Sequence, residues 1–191
     1  MTPTRLAIAA CTVLAICSSP SLADALDGRI FLGASGNAAR PGTTEGQLGP
    51  GAQLGISFEL SEFWSVTAGA DANYHFGRSI ADDDPGAAPT ELSPLLVSDA
   101  WVGATYALDV FRYIPYVGLS LVGYATSPPS GPNDTLLGPD LGTKLTLGLV
   151  YRPTRAWSIS GAIEAHSSLL QLGQFSLYSQ AVIHVGYHFR L

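Results

Sequence analysis

The sequence predicts an all-β protein, an eight-stranded antiparallel up-and-down transmembrane β-barrel. Three observations support this fold class. Only 13% of the 191 residues are charged and 47% are hydrophobic, whereas an ordinary soluble domain is close to a quarter charged. After residue 23, no apolar run approaches the roughly 18 residues of a membrane-spanning helix. The rest of the chain alternates between apolar and polar residues in eight segments, which is the pattern of strands with two different faces.

The first 23 residues have the organisation of a secretory signal peptide. An apolar run at 6–17 follows a positively charged start, and small residues precede a cleavage site after Ala23. We therefore expect a mature barrel domain at 24–191. Both cysteines, Cys11 and Cys17, lie in the removed segment, so the mature chain has no thiol. The four residues that end at Cys11 also resemble a lipobox, which leaves lipidation as an alternative.

Short and long connections alternate between the eight predicted strands. The strands are predicted at 28–36, 51–60, 64–76, 95–108, 113–126, 139–151, 157–168 and 178–191. Short turns are predicted at 61–63, 109–112 and 152–156, and long loops near 37–50, 77–94 and 127–138. Outer-membrane barrels have short periplasmic turns and long external loops. We therefore expect both termini in the periplasm and the long loops outside the cell.

Each strand has one apolar face, which we expect to face lipid. In the last strand the odd-numbered residues from Ala181 to Leu191 are apolar, whereas Gln180, His184 and His188 lie on the other face. Most strand glycines share the polar face, where a narrow barrel needs small residues. A soluble barrel would instead need a charged exterior. An aromatic girdle is predicted at the short-turn end, as in membrane barrels: Trp64, Tyr113, Tyr151, Trp157 and Phe189.

The polar face carries nearly all the charge of the strands. A lumen charge cluster is predicted near mid-barrel: Asp71, Asp99, Lys144, Glu164, His166 and His184. A second group is predicted at the periplasmic mouth: Arg29, Glu59, His188 and Arg190. If Tyr151 pairs with Trp157, Lys144 lies directly opposite Glu164 as a cross-strand ion pair. Paired charges would plug the lumen, and a gated pore is the alternative.

The inward histidines raise the question of a metal site. Histidine together with aspartate or glutamate can bind metal, but the spacing of these residues matches no known ligand motif. We therefore predict a polar lumen with no metal and no cofactor.

Two segments carry a resemblance to a known family. The terminal residues Gly186 to Leu191 (GYHFRL) and the segment Arg112 to Leu119 (RYIPYVGL) resemble the last strand and a mid-chain strand of OmpA-like and OmpW-like small outer-membrane barrels. The resemblance covers the whole mature chain and implies an eight-stranded barrel. The family usually ends in phenylalanine, whereas this chain ends in Leu191.

A second, weaker resemblance concerns the segment His166-Ser167-Ser168, which is similar to the His-x-Ser segment of lipid A deacylase barrels. That family has asparagine after the serine and a glutamate about 12 residues on, but Leu169 and Gln180 stand here. A nucleophilic serine needs both a base and an orienting acid. A lipid A deacylase-like hydrolase is therefore only the third hypothesis.

The sequence thus predicts a non-enzymatic outer-membrane barrel of a Gram-negative bacterium, with a structural or surface-interacting role. A narrow pore for small solutes is the second hypothesis. The expected partners are outer-membrane lipid, lipopolysaccharide and the barrel assembly machinery. A net charge of −6 argues against nucleic acid. The oligomeric state stays open, with a monomer as the simplest expectation.

Overall fold

The computed structural model describes residues 27–39, 47–80, 90–92, 94–108, 112–127, 140–168 and 178–191. The predicted signal peptide and its cleavage site lie outside the described residues. The strands are β1 (Asp27–Ala39), β2 (Gln47–Glu59), β3 (Trp64–His75), β4 (Arg78–Ile80), β5 (Thr90–Leu92), β6 (Leu95–Ala107), β7 (Tyr113–Ser127), β8 (Asp140–Tyr151), β9 (Trp157–Ser168) and β10 (Tyr178–Arg190).

Eight of these strands close into an antiparallel barrel, in the order β1-β10-β9-β8-β7-β6-β3-β2. The first and last strands pair from Asp27 with Arg190 to Ala38 with Ser179. The predicted eight-stranded barrel is thereby confirmed. Within the described ranges, no helix has the length and apolar character needed to cross a membrane.

Two features of the long loops differ from the prediction. Strands β4 and β5 form a separate two-stranded sheet inside the loop predicted at 77–94. Strands β1 and β2 also extend into the loop predicted at 37–50, where the sequence favours a loop because glycine and proline usually interrupt strands. The backbone stays paired there, since the Phe76 amide donates to the Leu48 carbonyl at 3.0 Å. A Cβ at Gly49 would collide with the Tyr74 carbonyl, so glycine permits this close approach.

The two faces of the strands differ as the alternation predicts. Large apolar side chains point away from the barrel, including Leu32, Leu147 and Ile183, each more than 60% exposed. Polar side chains are buried inside it, where they outnumber the buried apolar ones among the described residues. The lumen also holds an apolar cluster of Phe31, Trp101 and Val122.

The register of β8 and β9 corrects one prediction. Tyr151 lies opposite Ile159, not Trp157, and Lys144 lies opposite His166, not Glu164. The predicted register was wrong by two residues, because the β8–β9 pairing begins at Ile159 and not at the first residue of β9. The Trp157 amide donates to Thr154 Oγ1 at 3.1 Å, which holds this residue in the turn geometry, and Trp157 pairs with Tyr187 of β10 instead.

Candidate functional site in the barrel lumen

Lys144 is the centre of the buried polar cluster. The residue is only 1% exposed to solvent. Its Nζ lies 3.5 Å from Asp71 Oδ2 and 3.5 Å from Glu164 Oε2. The same ammonium lies 3.6 Å from the centre of the Trp101 ring, close enough for a cation–π interaction. Glu164 is thus a diagonal neighbour of Lys144 across the β8–β9 ladder, while Asp71 comes from β3, which is not adjacent to β8.

Two glutamine side chains extend the cluster across the barrel. Gln180 Nε2 on β10 donates to Asp71 Oδ2 at 3.3 Å and also to Glu164 Oε2. Gln53 Nε2 on β2 donates to Glu164 Oε2 at 3.1 Å, and its Oε1 accepts a hydrogen bond from His184 Nε2. Because β2 and β9 are not neighbours in the barrel, these contacts join opposite parts of the wall.

Asp99 brings a third carboxylate to the same depth. It lies directly opposite Asp71 in the β3–β6 ladder and is buried. Neither of its carboxylate oxygens has a hydrogen-bond donor within reach among the described residues. Burial beside a second carboxylate disfavours the ionised form of Asp99.

His166 joins the cluster from β9 with a defined ring orientation. Its Nδ1 lies 3.2 Å from the Tyr124 hydroxyl. Its Nε2 lies 3.3 Å from Gln180 Nε2 and 3.9 Å from Glu164 Oε2. One ligand atom each of Asp71, Glu164 and His166 lies within 4.8 Å of the other two. Two carboxylates and an imidazole in this arrangement are chemically able to hold a metal ion.

The residues predicted at the periplasmic mouth lie at the short-turn end but do not form one cluster. Arg29 donates to Ser160 Oγ at 2.8 Å inside the lumen, and His188 Nε2 lies 3.0 Å from Ser158 Oγ. Glu59 pairs with Arg152 at 3.1 Å in a partly exposed position. Arg190 is at the exposed rim, not in the lumen, and pairs with Asp27 at 3.1 Å.

A cavity occupies the short-turn half of the lumen. Its empty volume is about 960 Å³, including space open to solvent, and it reaches from Glu59 and Arg29 to Lys144 and Glu164. Lys144, Glu164 and His184 of the cluster therefore line the inner end of this cavity.

The predicted girdle residues lie on the outer surface at the short-turn end. Trp64, Tyr113 and Trp157 are about half exposed. The rings of Tyr113 and Tyr151 stack at 5.1 Å, and Phe189 packs edge-on against Phe58 at 6.3 Å.

Sequence reasoning missed four members of the site: Gln53, Trp101, Tyr124 and Gln180. Their position on inward faces could be found from the alternation, since Trp101 shares its face with Asp99 and Gln180 shares its face with His184. Their contacts could not, because each contact joins strands far apart in the sequence. The side chain of Ser168, which the hydrolase hypothesis needs, lies outside the described residues.

Comparison with known proteins finds similarity in structure and none in sequence families. No protein-family model matches the chain, and no curated protein matches it. Neisserial surface protein A (NspA) aligns at 12% identity with a TM-score of 0.58, over 86% of this chain and 97% of that one. Ail, the attachment invasion locus protein of Yersinia pestis, aligns at 14% identity with a TM-score of 0.55, over 86% and 99%.

A third solved structure extends the same result. The N-terminal β-barrel domain of Pseudomonas aeruginosa OprF aligns at 13% identity with a TM-score of 0.55, over 84% of this chain and 97% of that domain. These matches span almost the whole of each neighbour, and all are small barrels. The chain therefore has the fold of the small eight-stranded outer-membrane β-barrels, to which its sequence also bears the resemblance described above.

Proposed function

We propose that this protein is an outer-membrane β-barrel of a Gram-negative bacterium whose lumen is closed by paired charges. It would act as a structural or surface-interacting protein and not as an enzyme. The single observation that carries the proposal is the contact of Lys144 with both Asp71 and Glu164 inside the barrel. The outer-membrane location is supported separately, by the exterior.

The exterior supports a lipid environment. Leu32, Leu147 and Ile183 lie on different strands and are 63%, 64% and 66% exposed. Monomeric soluble proteins rarely expose large contiguous apolar patches, and transmembrane barrels have an outward-facing apolar band between aromatic girdles. The half-exposed Trp64 and Trp157 lie at one edge of this surface. Outer-membrane lipid is therefore the first partner we propose.

Export and assembly partners follow from the same proposal. The proposed signal peptide, cleaved after Ala23, would direct export. Strand β10 ends with exposed Ile183, Val185 and Tyr187 and closes the barrel against β1, so it is the segment we propose that the assembly machinery reads. Lipopolysaccharide would surround the long-loop end.

The lumen contacts support closure. Lys144 on β8 reaches Asp71 on β3, and Gln53 on β2 reaches Glu164 on β9. Neither pair of strands is adjacent in the barrel, so these contacts cross the lumen. An eight-stranded barrel is just wide enough for side chains to fill it. Ion-paired and hydrogen-bonded side chains cross the lumen at one depth. This arrangement favours a plugged barrel over an open channel.

Solute uptake by proteoliposomes tests the proposal. Liposomes containing the refolded protein should swell in an isotonic sugar solution no faster than protein-free liposomes, whereas a general porin in parallel liposomes should cause rapid swelling. Swelling that rises with the amount of this protein would contradict the plug. It would favour the narrow pore, for which the cavity at the short-turn end supplies half of a path.

A further inference from the structure

We propose that Asp71, Glu164 and His166 form a binding site in the lumen for a divalent transition-metal cation of the zinc class. One carboxylate comes from β3, and the other carboxylate and the imidazole come from β9. All three side chains are buried, and their ligand atoms lie within 4.8 Å of one another. Ligands bound to one Zn²⁺ at about 2.0–2.2 Å are at most about 4.4 Å apart, and about 3.4 Å apart in tetrahedral geometry. A small side-chain movement therefore brings the three atoms into coordination distance.

The orientation of His166 fits a metal ligand. Its Nδ1 lies 3.2 Å from the Tyr124 hydroxyl, and its Nε2 points into the cluster, 3.3 Å from Gln180 Nε2 and 3.9 Å from Glu164 Oε2. Histidine ligands usually form a hydrogen bond through the second ring nitrogen, which fixes the tautomer and the direction of the ring. A mixed set of imidazole and carboxylate ligands suits zinc-class cations better than Ca²⁺ or Mg²⁺, which prefer oxygen alone.

The cluster has more carboxyl groups than cationic groups. Asp71, Asp99 and Glu164 are three carboxyl groups, and Lys144, the only lysine of the chain, contacts two of them. Asp99 lies opposite Asp71, and burial beside a second carboxylate favours the protonated form of Asp99. A bound dication would balance the negative charge of Asp71 and Glu164.

Two side-chain donors occupy the same place. Gln180 Nε2 contacts Asp71 Oδ2, Glu164 Oε2 and His166 Nε2. Lys144 Nζ contacts Asp71 and Glu164 at 3.5 Å each, longer than the 2.7–2.9 Å of a strong charge-assisted hydrogen bond. In the proposed bound state, the metal lies between the two carboxylates, the amide of Gln180 turns away from them, and the flexible lysine moves its ammonium to Asp99. The cavity at the short-turn end reaches Glu164 and supplies the path of entry as far as this ligand.

Calorimetric titration of Zn²⁺ into the refolded, tag-free protein in detergent micelles tests the site. The wild type should bind one equivalent, and His166→Gln and Glu164→Gln should abolish this binding. Tyr124→Phe, which removes the hydroxyl that contacts Nδ1 of the ligand ring, should weaken the affinity by about tenfold. Lys144→Met should bind Zn²⁺ at least tenfold more tightly, because the competing cation is gone.

His188→Gln is the matched control, since His188 is a lumen-side histidine near the mouth that contacts Ser158 and not the cluster. It should bind Zn²⁺ as the wild type does. Folding of every variant is checked by the mobility shift of the unheated barrel in gel electrophoresis. If Glu164→Gln does not fold, His166→Gln and Tyr124→Phe still decide the result. Unchanged affinity in His166→Gln, or no tighter binding in Lys144→Met, would overturn the proposal.

Discussion

Replacing Lys144 by methionine should destabilise the barrel strongly. The substitution preserves most of the volume of the side chain but removes the charge that contacts Asp71 and Glu164 at 3.5 Å and Trp101 at 3.6 Å. Removing one partner of a buried pair costs about 3–5 kcal/mol, because the other partner stays buried without compensation. Since urea slopes for small proteins are about 1–3 kcal/mol per molar, the unfolding midpoint should fall by at least about 1 M.

The assay is equilibrium unfolding in urea, followed by tryptophan fluorescence of the refolded protein in lipid vesicles. Arg152→Met is the matched control, because its pair with Glu59 is partly exposed and such pairs contribute about 0–1 kcal/mol. The reasoning is refuted if Lys144→Met shifts the midpoint no more than Arg152→Met does. Adding Asp71→Asn to Lys144→Met should recover part of the loss, since it removes one of the carboxylates left without a counter-charge.

Two further outcomes test the packing of the lumen and the topology. Gly55→Val should lower stability by about 1–3 kcal/mol, because its new side chain would collide with the Phe31 ring, whereas Gly161→Val faces open space and should change the urea midpoint little. Endoproteinase Glu-C added to intact cells should cut after Glu45 in a long loop and spare Glu62 in a short turn, and cutting confined to Glu62 would reverse the proposed orientation.

The fold was predictable because one physical rule acts along the whole chain. Side chains alternate across a strand, so a barrel with lipid outside and a narrow lumen inside imposes a period of two on the sequence. Leu147 and Lys144 therefore fall on the expected faces. The β4–β5 hairpin was missed because three-residue strands are too short for alternation to be recognised.

Most residues of the lumen site could be predicted from the sequence, but their contacts were harder to predict. Charge and alternation are enough to place Asp71, Lys144 and Glu164 inside at a similar depth. The exact partner of Lys144 depends on the β8–β9 register, which differs by two residues from the predicted register. The turn before β9 contains a hydrogen bond from the Trp157 amide to Thr154 Oγ1. Turn geometry is set by such local hydrogen bonds, which alternation does not reveal.

The alternation of apolar and polar residues could not predict the long-range contacts, for a different reason. Trp101 contacts Lys144 over a separation of 43 residues, and Gln53 contacts Glu164 over a separation of 111. These side chains come into contact because the closed barrel places their strands around one narrow lumen. A neutral glutamine or an indole gives no charge signal, so neither stood out among the other inward residues.

The ionic conductance of planar bilayers tests most directly the central claim that the Lys144 cluster closes the lumen. Refolded wild-type protein and Lys144→Met are compared in the same bilayer, at the same protein density and salt concentration. We expect no steady channel for the wild type and a measurable rise in conductance for Lys144→Met. A steady open channel in the wild type, unchanged by the substitution, would contradict it.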